Sequence, residues 1–234
     1  MKKTRIGIIF FLLPVLFGYT DKNPVLKIEG GKIQGVETGK SGILLFKGIP
    51  YAAPPVGDLR WKEPQKVIPW KGIRVCDTFG AAAPQKLTDR GSFYDKEFYA
   101  QSPHVKSEDC LYLNVWTPSA GNKKAKLPVA MWIHGGAYRN GFGHENEFDG
   151  VAWAEKGVIL VTINYRLGIL GFLAHPELTA ENPIQRITLS SCYLKLMKKS
   201  IHPIWANQLV HLPTQITVIQ DNESIHLSRE ECRA

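Results

Sequence analysis

Two uninterrupted apolar runs, VAMWI (Val129–Ile133) and VILVTI (158–163), flank the stretch FDGVAWAEKG, whose apolar residues fall at helical spacing and which ends on a glycine. This pairing constrains the fold more than any other feature of the chain. A strand with one face in water alternates apolar and polar residues, so a run without polar interruption predicts burial on both faces. Joining two such strands through a helix predicts a right-handed β-α-β crossover in a parallel sheet. The expected fold class is therefore α/β.

The segments before this core predict a different opening. VLKIEGGKIQGV alternates about Gly30 and Gly31, a hairpin signal, and GILLFKGI adds another strand, so N-terminal antiparallel strands lead into the start of a mostly parallel sheet. Residues 50–101 are rich in proline and aromatics (YAAPPVGDLRWKEPQ, VIPWKGI, FGAAAPQ), which predicts an irregular segment wrapped over a larger body. LYLNVWTP returns to strict alternation and ends on a proline, as a strand does.

At 234 residues and 44% hydrophobic, the chain can bury one substantial core or part of a larger one. Lys2, Lys3 and Arg5 precede an apolar stretch from Ile6 to Gly18, so residues 1–20 read as a secretory signal peptide; an uncleaved anchor is the alternative. Export to the periplasm or the extracellular space is the expectation. The net charge of +8 is scattered and not interleaved with aromatics, which argues against a nucleic-acid partner. Cys76, Cys110, Cys192 and Cys232 are irregularly spaced, with no zinc or redox pattern. Cys76 and Cys110 could pair in an exported protein or remain two buried thiols.

Ligands of open α/β sheets gather at the carboxyl ends of strands, and His134, Gly135, Gly136 and Ala137 stand at such an end. Residues with little or no side chain let a reacting carbonyl approach main-chain N–H groups, as an oxyanion hole requires. A plain glycine turn leaving a strand is the alternative reading.

Four segments, in order, resemble the type B carboxylesterase and cholinesterase-like family of serine hydrolases: FKGIPYAAPPVGDLRW (46–61), SEDCLYLNVWTP (107–118), PVAMWIHGGAYRNG (128–141) and INYRLGILGFL (163–173). The resemblance spans roughly residues 24–183. It implies an α/β-hydrolase fold and ester hydrolysis through an acyl-enzyme, with a small-molecule ester as partner and neither cofactor nor metal. Carried over residue by residue, Gly136 and Ala137 match the oxyanion-hole positions and Gly135 shapes their loop, which makes His134 a loop residue and not a base. Arg60 and Glu108 match a structural ion pair, and Asn164 and Arg166 look like scaffold residues. Cys110 matches the SEDC cysteine, but its usual partner would lie near FGAAAPQ, where alanines and a proline stand.

Acyl transfer also needs a nucleophile, a base and an orienting carboxylate. The family's serine stands in G-x-S-x-G, and no such motif occurs in the chain. Where the resemblance would place it, ITVI reads as the strand leading in, but Gln220, Asn222 and Ser224 replace glycine, serine and glycine. Asp221 is one position out of register for nucleophilic work. Ser190, Ser191 and Cys192 carry no strand-to-turn signal, and His202, His211 and His226 stand isolated. H-E-N-E-F from His144 starts like a zincin motif but has Phe148 where the second histidine belongs, so metal hydrolysis is discarded. All glycines lie at or before Gly171, and residues 184–234 read as a divergent glycine-free tail. The expected organisation is a signal peptide over 1–20, the N-terminal portion of a carboxylesterase-like domain over 21–183 and that tail. This is an incomplete α/β-hydrolase fold, reached by truncation, frameshift or an alternative ending. Three functional readings follow: a serine-esterase part without its catalytic triad, a non-catalytic cholinesterase-like binding module, or a partial enzyme completed by another polypeptide.

Overall fold

The computed structural model describes residues 23–86, 88–99, 105–122, 124–181, 215–220 and 223–228. The signal-peptide segment, Ser190, Ser191, Cys192, His202, His211, Asp221, Asn222 and Cys232 lie outside the described residues.

In chain order the elements are β1 (Val25–Ile28), β2 (Gly31–Gln34), β3 (Val36–Glu37), β4 (Leu44–Pro50), β5 (Ile73–Val75), β6 (Tyr112–Thr117), β7 (Val129–Ile133), α1 (Val151–Glu155), β8 (Ile159–Ile163), α2 (Gly168–Phe172), α3 (Pro176–Glu181), β9 (Gln215–Gln220) and β10 (Glu223–Ser228). Seven strands form the main sheet in the order β10-β9-β7-β8-β6-β4-β3, and β1, β2 and β5 form a second, small sheet.

β7 and β8 pair in parallel, with Val129 opposite Ile159 and Ile133 opposite Ile163, and α1 connects them as the helical spacing predicts. All five residues of β8 are buried. Their side chains alternate between two apolar layers: Ile159, Val161 and Ile163 pack with Phe46, Leu113, Val115 and Met131, while Leu160 packs with Leu45, Trp116, Ala130 and Ala154 of α1. A continuous apolar run is the sequence record of this two-sided burial. Within the main sheet parallel pairing is confined to the centre; β6, β4 and β3 extend it antiparallel on one side, and β10 closes the other side antiparallel to β9.

The opening strands, expected as one antiparallel group leading into the main sheet, divide between two sheets. β1 and β2 make the expected hairpin, but the next partner of β2 is β5, in parallel. The Trp70 backbone and indole N–H groups bond the Gly30 and Lys32 carbonyls and deliver β5 to that edge. β3 and β4 belong to the main sheet, where β4 shifts register between Phe46 and Ile49. Gly48 sits in this bulge at φ +62, and its N–H donates to Asn114 Oδ1 at 3.0 Å. Asn114 Nδ2 in turn donates to Thr162 Oγ1 at 3.0 Å, so one buried polar chain links three adjacent strands.

Candidate functional site

β7 ends at Ile133, and the chain turns immediately into the loop His134–Gly143. His134 is the loop's buried root, with 1% of its surface exposed. Its Nδ1 lies 2.9 Å from the Gly135 carbonyl, an acceptor, so the proton sits on Nδ1. The ring stacks on Tyr165 with centroids 4.4 Å apart, and the Tyr165 hydroxyl donates to the His134 carbonyl at 2.6 Å. Burial pushes its pKa down to about 4. A neutral imidazole sealed from solvent and fixed at ring and backbone has a scaffold's geometry.

Beyond it the loop turns outward. Gly136, Ala137 and Tyr138 take three successive left-handed conformations, at φ +106, +51 and +60, and all three are exposed. The Gly136 carbonyl accepts from Arg139 N at 3.0 Å and Asn140 N at 3.2 Å, closing a tight turn. A Cβ on Gly136 would lie 2.0 Å from the Asn140 carbonyl oxygen, so the position admits glycine alone. The N–H groups of Gly136 and Ala137 have no acceptor among the described residues. The turn thus places two main-chain donors without an acceptor among the described residues on exposed positions at the carboxyl end of β7.

The far limb of the loop is braced from below. Asn164, at the end of β8, accepts from Gly143 N through Oδ1 at 2.7 Å, donates through Nδ2 to the Ala81 carbonyl at 2.9 Å, and receives the Tyr51 hydroxyl on its own carbonyl at 2.6 Å. His144 stacks on Phe79 at 4.8 Å, and burial followed by nearby His134 holds its pKa at about 4. Glu145 Oε1 accepts from Phe142 N at 3.1 Å, and burial pushes its carboxyl up to about 7. His144 and Glu145, the first two residues of the zincin-like stretch, therefore serve as internal supports of the loop.

The sequence-predicted ion pair comes together as a two-point contact: Arg60 Nε donates to Glu108 Oε2 at 2.6 Å and Nη2 to Oε1 at 2.8 Å. Buried Arg166 borders the same small space, together with Cys110. Cys76 and Cys110 are two free, buried thiols, each pushed up to about 12 chiefly by burial.

β9 carries the ITVI segment and runs parallel to β7, with Ile219 opposite Trp132, so it ends at the same edge of the sheet as His134. Beyond that end the chain returns as β10, with Glu223 opposite Gln220 and Ser224 opposite Ile219. A strand-to-strand return thus stands where the family resemblance implies a nucleophile's strand-to-helix turn. His226 lies within β10, opposite Thr217.

The model of the carboxylesterase family matches residues 22–182. The chain belongs to the carboxylesterase family. It is 42% identical over 171 residues to the fumonisin B1 esterase of Sphingopyxis macrogoltabida, covering 73% of this chain and 29% of that protein. With the para-nitrobenzyl esterase of Bacillus subtilis it shares 43% identity over 150 residues, 64% of this chain and 29% of that one. Among solved structures, a PNB esterase superposes with a TM-score of 0.67 at 32% identity, covering 85% of this chain and 38% of the other. A Geobacillus stearothermophilus carboxylesterase gives 0.64 at 33%, covering 84% and 38%. The family body is accordingly a part of the α/β-hydrolase fold, and the chain spans under a third of the length of these curated relatives.

Asn164 takes the scaffold role the sequence suggested, while sequence reasoning missed Tyr165 and the part played by Gln85, whose side-chain amide meets Gly141 from 56 residues away. Tyr165 and Asn164 fall in the quoted INYRLG segment, so that segment was the available signal; nothing in FGAAAPQ marks Gln85.

Proposed function

We propose that this chain carries the oxyanion-binding part of a carboxylic-ester hydrolase and does not turn over esters by itself. The observation that carries the reading is the pair of N–H groups on the exposed residues Gly136 and Ala137, without an acceptor among the described residues, just beyond the end of β7. A tetrahedral intermediate gathers negative charge on one oxygen, and a preorganised donor aimed at that oxygen lowers the barrier by about 3 kcal/mol. Gly135 leaves room for the approach, and His134 fixes the root of the loop. Small-molecule esters are the substrate class that family membership supports, as the names of its fumonisin and para-nitrobenzyl relatives suggest.

Two features support the lack of turnover: no G-x-S-x-G stands in the sequence, and β9 is followed by β10 and not by a helix. The same return strand favours a non-catalytic binding module as the second reading. Export rests on the layout of residues 1–20 and would be read from the N-terminus of secreted material.

The decisive experiment treats the purified full chain with para-nitrophenyl butyrate and a fluorophosphonate, then titrates the 15N-labelled chain with phenylphosphonate, a stable tetrahedral anion. The expected result is no turnover above background, no covalent label, and phosphonate-induced shifts centred on the Gly136 and Ala137 amides. Stoichiometric labelling with turnover overturns the first half of the proposal. Shifts that leave those two amides untouched overturn the second.

A further inference from the structure

Donors that stabilise developing charge must hold their direction while the charge appears. Three successive left-handed residues do not hold themselves, since the two non-glycine members each cost about 1–2 kcal/mol in that region. Strain of this kind persists only where neighbouring structure over-determines it. The loop therefore needs an external tie at the point where it closes.

That point is Gly141. A Cβ on Gly141, at φ +103, would lie 2.6 Å from His134 Nδ1 and 2.7 Å from the Gly135 carbonyl, so the far limb packs directly on the root of the loop. Gly141 follows Asn140, whose N–H bonds the Gly136 carbonyl and whose own carbonyl crowds Gly136. Any shift of Gly141 thus passes through one residue to the Gly136 turn.

Gln85 grips Gly141 with both ends of its side-chain amide. Its Oε1 accepts the Gly141 N–H at 2.7 Å, and its Nε2 donates to the Gly141 carbonyl at 2.9 Å. Nε2 also donates to the Ala83 carbonyl at 3.1 Å, so its partners are two carbonyls while the partner of Oε1 is an N–H. The amide has one orientation compatible with all three. Its own backbone is anchored: Lys106 Nζ donates to the Gln85 carbonyl at 3.2 Å, and Ala82 bonds Val105 and Ser107 at 3.0 and 2.9 Å.

We propose that Gln85 is the positioning residue of the oxyanion loop, locking Gly141 so that the Gly136 and Ala137 N–H groups keep their direction toward an anionic tetrahedral centre. This assignment rests on the oxyanion reading of those two amides. It gives the irregular proline-rich segment a function, since that segment carries the amide to the loop.

The test uses hydrogen exchange and phenylphosphonate titration of the 15N-labelled full chain, its Gln85→Met variant, and Lys106→Met as a control that loosens the Gln85 backbone without touching Gly141. Gln85→Met keeps the side chain's length and removes both hydrogen bonds. It should speed exchange about tenfold at Gly141, Arg139 and Asn140, and weaken phosphonate binding several-fold, with a smaller effect in Lys106→Met, which leaves both Gly141 bonds in place. Unchanged exchange at Arg139 and Asn140, or an equal loss in Lys106→Met, overturns the assignment. If Gln85→Met does not fold, the parent decides: Gln85 side-chain amide protons exchanging at the rate of a free amide overturn it, and protection matching that of the Gly141 N–H supports it. A parent without phosphonate shifts at Gly136 and Ala137 defeats the oxyanion reading, while the exchange results still decide whether Gln85 holds the loop.

Discussion

Tyr165 holds His134 twice, donating its hydroxyl to the His134 carbonyl at 2.6 Å and stacking its ring on the imidazole at a 4.4 Å centroid distance. Both residues are buried, so the root of the loop is fixed through main chain and side chain at once. Tyr165→Phe keeps the stack and strips the donor from a buried carbonyl, which should cost about 1–3 kcal/mol. Urea unfolding of parent and variant checks this, with a lower midpoint and an unchanged m-value expected.

The loop's titratable groups give stability a definite pH slope. His134 and His144 are held near 4 in the fold against an ordinary 6.5, mainly by burial, so each is neutral when folded and takes up a proton on unfolding. Their contribution is complete above about pH 6.5 and is lost as pH falls toward 4. Glu145 works the other way. Burial raises it from 4.5 to about 7, so its contribution is complete below 4.5 and is lost as pH rises through 7. Between about pH 4.5 and 6.5 the unfolded chain binds two more protons at the histidines and one fewer at Glu145, so stability rises with pH by about 1.4 kcal/mol per unit from these groups. Glu145→Gln, which keeps an acceptor for Phe142 N, should roughly double that slope. Denaturant titrations at pH 5 and pH 6.5 distinguish the doubled slope from an unchanged one.

Neighbouring loop positions should respond with opposite signs. Gly136→Ala places a methyl group against the Asn140 carbonyl at a backbone angle of +106, a clash with main chain that no rotamer relieves. A loss on the order of 3 kcal/mol or more is expected, with loss of any phosphonate response. Ala137→Gly removes left-handed strain of about 1–2 kcal/mol and adds unfolded-state freedom worth about 0.4–1 kcal/mol. It should therefore leave the melting midpoint equal to the parent's or slightly higher. Thermal melts of the pair decide the matter, and a large loss in Ala137→Gly would mean that its methyl group makes a contact that matters.

The centre of the fold was legible because strands with sheet neighbours on both sides carry near-continuous apolar runs: VAMWI and VILVTI became β7 and β8, the second buried at all five of its positions. ITVI was legible as a strand from its apolar, β-branched composition, whereas the return through β10 was not. The sheet boundary was hidden because β5 is only three residues long and none of them is buried, so no apolar pattern announces its pairing with β2. At the site, glycines advertised the turn at Gly135 and Gly136, but the left-handed backbones of Ala137 and Tyr138 carry no signal in residue type. The grip of Gln85 on Gly141 depends on tertiary placement across 56 positions, which no local pattern encodes.

The Arg60–Glu108 pair ties the proline-rich segment to the approach of β6, and its geometry makes a prediction free of any stability measurement. Hydrogen bonds from the guanidinium, with its charge, hold the Glu108 carboxyl below its ordinary value. Arg60→Ala should return Glu108 to the ordinary carboxylate range, followed by side-chain carboxyl 13C shifts during a pH titration. Arg60→Lys restores a charge but not the fork that meets both carboxylate oxygens, so Glu108 should titrate between the two. A Glu108 pKa in Arg60→Lys equal to that of the parent would mean that charge alone sets the value. The two parallel contacts at 2.6 and 2.8 Å would then contribute no specificity of their own.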